Sequence, residues 1–137
     1  MAKVQTVTRE AMRPLIEPHG LCEAVRAGDA LYVAGQTGID PATHRVVVGG
    51  MKAQALQAFR NIRAVVEAAG GRADQVVQFT WYLVEGPEGR SFMEDALDVT
   101  AARNEVFPGL VSGSTAVRVR SLLLPELLIE VQAVAAL

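Results

Sequence analysis

The chain has 137 residues, half of them hydrophobic, with 13 lysines and arginines against 15 aspartates and glutamates for a net charge of −2. That length makes one domain, residues 1–137, with a real core, and without a basic block nucleic-acid binding through a phosphate-neutralising surface is not expected. No apolar run approaches a bilayer span, the first residues lack a signal-peptide layout, and a single cysteine, Cys22, excludes an internal disulfide, so a cytoplasmic protein with no membrane partner is expected.

In chain order, Val4 to Thr8 alternates and predicts a first strand. Residues 9–19 read as irregular, with Pro14, Pro18 and then Gly20. Leu21 to Val25 is expected to pair with Leu31 to Ala34 as a hairpin, turning over Arg26-Ala27-Gly28-Asp29. Leu31-Tyr32-Val33-Ala34 is a continuous apolar run of the kind that makes a buried strand. Gly35-Gln36-Thr37-Gly38 follows, where the backbone is free to approach a ligand. Asp40-Pro41 starts a turn, and Val46 to Val48 predict a short strand that Gly49-Gly50 breaks.

Met51 to Ala69 then predicts a long helix. Ala55, Ala58, Phe59, Ile62, Val65, Val66 and Ala69 recur at i, i+3, i+4, i+7 and form one stripe, with Gly70-Gly71 as the stop. From Val77 to Val84, Val77, Phe79, Trp81 and Leu83 share the face expected to pack on helices, and Gln78, Thr80 and Tyr82 share the other. A second helix is expected over Ser91 to Val106, with Phe92, Ala96, Leu97, Ala101 or Ala102, and Val106 inward. Two strands close the chain, Thr115 to Arg120 and Leu127 to Ala135. The result is an α+β domain with two helices on one face of a mixed sheet. The other face collects Gln78, Thr80, Tyr82, Arg118, Glu130 and Gln132 beside Val76, Val84, Leu128 and Val134. This mix is too apolar for a free surface and too polar for a dry core, so a homo-oligomer with sites where subunits meet is expected.

The chain resembles the RidA/YjgF family, also labelled endoribonuclease L-PSP. The likeness is carried by Gly28-Asp29-Ala30-Leu31-Tyr32-Val33-Ala34-Gly35-Gln36, by Asp40-Pro41 and the following valines, by Gln54 to Ile62 continuing through Val65 to Gly70, and by Ile129-Glu130-Val131-Gln132-Ala133-Val134-Ala135. The resemblance implies a chorismate-mutase-like fold and a homotrimer with clefts between neighbouring subunits. It also implies hydrolysis of reactive enamines and imines to 2-oxo acids and ammonia, with no metal or organic cofactor. By the same resemblance Glu130 positions or activates the water and Gly35 lines the cleft with its backbone. Ser114 stands where an arginine holds the substrate carboxylate, Leu21 stands near a cleft tyrosine, and Ala96 near an asparagine. These departures imply a branch without the carboxylate-binding arginine.

The candidate residues leave alternatives open. Arg118, expected on the face of Glu130, either replaces the missing cation or forms a cross-strand ion pair with Glu130. Paired, Glu130 stays ionised and shuttles protons poorly. In a cleft without a cation its pKa rises, and it serves as a general base. Cys22, beside Glu23 and three positions after His19, reads as a buried, inert thiol, with a reactive thiol in the cleft or a metal half-site as the alternatives. His44 reads as a solvated turn residue, and Phe79 and Trp81 as core. Ser112-Gly113-Ser114-Thr115 is either an ordinary loop or a source of amides and hydroxyls for an anion. Three functions follow: an imine hydrolase using Glu130, a protein that binds a small metabolite without turnover, and a ribonuclease, which the charge argues against.

Overall fold

The computed structural model describes residues 3–137. In chain order it contains β1 (Val4–Val7), the single turn α1 (Arg13–Ile16), β2 (Ala24–Ala27), β3 (Ala30–Thr37), β4 (Ile39–Asp40), β5 (Arg45–Val46), α2 (Gly50–Ala68), β6 (Val76–Val84), α3 (Phe92–Val106), β7 (Gly113–Val119) and β8 (Ile129–Ala136). The main sheet runs β1-β2-β3-β8-β6-β7, and β4 pairs with β5 in a small separate ribbon. Only β6 and β7 are parallel, because α3 is the crossover between them; the other described pairs are antiparallel. The chain is therefore an α+β fold with its two long helices against one face of a mixed sheet.

The core forms where the α2 stripe meets the strands. Ala55, Ala58, Phe59, Ile62, Val65 and Val66 are all buried, as their spacing predicts. Phe59 packs edge-on against Phe79 at 5.4 Å and Trp81 at 6.2 Å, and Phe79 lies 5.3 Å from Phe107, favourable geometries for aromatic rings. On β8, Ile129, Val131, Ala133 and Ala135 are buried in strict alternation. Gly49, with φ of 122°, turns the chain into α2 in a conformation other residues resist.

Several local expectations are corrected. Residues 9–19 are three short helical turns rather than irregular chain. The hairpin strand begins at Ala24, not Leu21, so its turn shrinks to Gly28-Asp29. Of the three valines after His44 only Val46 is in a strand, and Val48 is fully exposed, because β5 has only the two residues of β4 to pair with. A register shift between Val76 and Gln78 puts Val76 in the core and leaves Val77 half-exposed, reversing both assignments. In α3 the inward residues are Asp95, Val99, Ala102 and Val106, while Phe92 and Leu97 face outward. The inward stripe there starts on an acid, which a search for apolar spacing passes over.

Candidate active site

β8 lies between β3 and β6, and Glu130 is paired in register with Thr37 on one side and Tyr82 on the other. Next to it the β3–β8 register shifts between Val33 and Gln36, leaving one extra residue at Ala34-Gly35. That bulge brings the backbone of Gly35 against the Glu130 side chain. A Cβ at position 35 would lie 2.7 Å from Cδ of Glu130 and overlap its carboxylate, so any larger residue there requires the Glu130 side chain to shift. The two residues named from the sequence as water-activating acid and cleft backbone are thus in direct contact.

The Glu130 carboxyl is half-buried, and burial alone pushes its pKa above the usual 4.5. Among the described residues no hydrogen bond or ion pair reaches its carboxylate. On the far side of Gly35, an open cleft of about 320 Å³ is lined by Cys22, Tyr32, Gly35 and Gln132 but not by Glu130 itself. The Tyr82 hydroxyl donates to Oε1 of Gln132 at 2.8 Å. Cys22 is partly exposed in this cleft, not buried as expected. The residue after it, Glu23, turns the other way, and its carboxylate receives Arg9, which removes the metal half-site. Among the described residues no three His, Cys, Asp or Glu side chains gather as metal ligands.

Arg118 is not on the face of Glu130. The β6–β7 register sets it opposite Leu83, a core residue, so it projects toward the helices. There Nη1 donates to Oδ2 of Asp95 at 2.9 Å, and the guanidinium lies 5.1 Å from the Phe92 ring. The parallel pairing decides this, because it aligns Val117, not Arg118, with Tyr82 and hence with Glu130. Arg118 therefore forms no cross-strand ion pair with Glu130. Ser114 pairs with Phe79 and so shares the side of Arg118, whereas Thr115 pairs with Thr80 on the side of Glu130. Gly113 to Thr115 open β7 rather than forming a loop, and the Ser112 hydroxyl is taken by Arg103 at 2.9 Å. The His44 ring, through Nε2, donates to the Ala11 carbonyl at 2.7 Å.

Two buried polar residues of α2 were not among the sequence candidates. Gln54 donates to the Glu126 carbonyl and accepts from the Leu128 amide, fixing the approach to β8. Asn61 donates to the carbonyls of Thr37 and Ile39, fixing the exit from β3. Both occupy the apolar stripe, four before Ala58 and four before Val65. A polar residue at such a position was the signal that would have found them.

The chain matches the family model described as endoribonuclease L-PSP over residues 15–137. It is 36% identical over 128 residues to a RutC family protein of Pyrococcus horikoshii, covering 93% of each chain. It is also 38% identical over 61 residues to the 2-iminobutanoate/2-iminopropanoate deaminase of Dermatophagoides farinae, a match covering 44% of this chain and 48% of that one. Among solved structures, RidA from the Antarctic bacterium Psychrobacter superposes with a TM-score of 0.81 at 28% identity, over 97% of this chain and 99% of that one.

Proposed function

Because the chain belongs to the endoribonuclease L-PSP family, the RidA/YjgF proteins, we propose that it hydrolyses small imines or enamines without a cofactor, with Glu130 as general base. One observation carries this reading: the Glu130 carboxyl is unpaired, half-buried and raised in pKa across Gly35 from an open cleft. A base in that state accepts a proton nearer neutral pH than an ordinary glutamate does. In the reaction, Glu130 takes a proton from water as the oxygen bonds to the imine carbon. It returns that proton to the nitrogen to give a carbinolamine, then takes the hydroxyl proton and passes it to the nitrogen as the C–N bond breaks, and a carbonyl and ammonia leave. The partial likeness to a named imine deaminase supports the reaction class.

The same reading includes a homotrimer. Its support is the sheet face away from the helices, where Tyr32 and Val117 are exposed beside Glu130 and Gln132. A species of three chain masses is expected in light scattering, and a stable monomer would overturn it. The activity is tested by generating imines with an amino-acid oxidase and timing 2-oxo acid release. Wild type is expected to accelerate release and Glu130→Ala to remove the acceleration; equal rates for both overturn the role of Glu130.

A second reading, a binding protein without turnover, is favoured by the pairing of Arg118 with Asp95, which leaves that guanidinium unavailable to a substrate carboxylate. Thermal shift by an oxo acid, with no acceleration of release, would select it.

A further inference from the structure

The bulge that presents Gly35 to Glu130 lacks a regular ladder, so its backbone groups need other partners. Those partners converge on one ion pair beneath the helices. Arg9 gives the carboxylate of Glu23 its Nε at 2.9 Å, its Nη2 at 2.6 Å and its own backbone amide at 3.0 Å. Glu23 is only 2% exposed. From the same guanidinium, Nη1 donates to Oδ1 of Asn61 at 3.3 Å, and Nη2 approaches Oε1 of Gln36 at 3.5 Å. These two amides then hold the bulge. Gln36 donates to the Ala34 carbonyl at 3.3 Å, and Asn61 donates to the carbonyls of Thr37 and Ile39 at 3.0 and 2.9 Å. The Ala34 amide completes the set by donating to the Glu23 carbonyl at 2.8 Å.

Each of these side-chain brackets on residues 34–39 is therefore attached to Arg9 or Glu23 within one step. Arg9 also precedes residues 15–137, the stretch the family model matches, so the strut enters from outside that stretch.

We propose that Arg9 and Glu23 are positioning residues for Glu130: their buried ion pair fixes the Ala34-Gly35 bulge, and the bulge holds the carboxyl half-withdrawn from solvent. Neither residue touches the cleft in which the chemistry is placed. The proposal concerns the setting of Glu130 and rests on the hydrolase reading only for its consequence in turnover.

The test follows the carboxyl itself. Full-length protein labelled with carbon-13 at glutamate carboxyls is titrated by NMR, with the Glu130 signal assigned by its loss in Glu130→Gln. In wild type, Glu130 is expected to titrate above the ordinary glutamate midpoint of about 4.3. In Glu23→Gln and in Arg9→Met the midpoint is expected to fall toward that value as water enters the loosened bulge. Gln36→Met keeps the ion pair and removes one strut, so it covers the case in which the first two variants do not fold; a fall is expected there too. Asp95→Asn breaks the other buried ion pair, with Arg118, and should leave the Glu130 midpoint at the wild-type position.

An unchanged midpoint in the folded strut variants overturns the proposal, and so does an equal fall in Asp95→Asn, which would mean general loosening. Because the readout needs no turnover, a moved midpoint in a protein without imine hydrolysis supports this proposal while defeating the hydrolase reading. The reverse pattern does the opposite.

Discussion

The two faces of the main sheet treat buried charge in opposite ways. Against the helices, Glu23 receives three donors from Arg9, and Asp95 holds Arg118 and lies near Arg90. On the other face Glu130 sits half-buried with no partner among the described residues. A carboxylate whose donors are all supplied by neighbouring side chains joins elements of structure. One without such donors bears a desolvation cost that a proton relieves, which is the condition for acid–base work. The contrast separates the acids that join elements of this protein from the one proposed to act in it.

Breaking the helix side should cost the most. Glu23→Ala strands the Arg9 guanidinium, itself only 14% exposed, and is expected to destabilise by about 3–5 kcal/mol in denaturant titration. A loss below about 1 kcal/mol would erase the distinction between the faces.

Crowding the open side comes next. Gly35→Ala drives a methyl into the Glu130 side chain. It is expected to cost about 1–3 kcal/mol and to remove imine hydrolysis. Glu130→Ala on that background should recover most of the stability and none of the activity. A double-mutant cycle with no coupling would mean that the two residues do not meet.

Glu130→Gln gives the smallest effect and the most specific one. Burial raises the folded-state pKa of Glu130 above its unfolded value, so its protonated form favours folding. That contribution is complete below the unfolded pKa and is lost as pH rises through the folded one. At pH 7 the variant should therefore unfold at slightly higher denaturant than wild type, by under about 1 kcal/mol because solvent screens a half-open site. The difference should vanish at about pH 4. The matching kinetic result is a rate that falls with acid around a midpoint above 4.5, the usual value for this group. A midpoint at or below it would overturn the role of burial in setting Glu130.

Much of the frame was legible in the residues. The α2 stripe from Ala55 to Val66 and the alternation of β8 were read correctly because each depends only on spacing along one element. Gly35 and Glu130 came from the family resemblance, and the bulge then gave them a physical reason to meet. What failed was relative placement. Alternation alone separates Val117 from Arg118, but it does not say which of them joins Glu130. Phe92 and Leu97 of α3 face outward because Asp95 turns in to meet Arg118. The Val76–Val77 bulge reversed two residues with no local mark in composition.

The sequence by itself determined the α+β class, the long amphipathic helix and the alternating closing strand, since periodicity is a local property of the chain. Tertiary structure alone decided that no cation among the described residues reaches Glu130, that Arg118 serves Asp95, and that Arg9 and Glu23 meet beside the bulge around Gly35. Those outcomes depend on register between strands distant in sequence, and a shift of one residue there moves a side chain to the other face of the sheet.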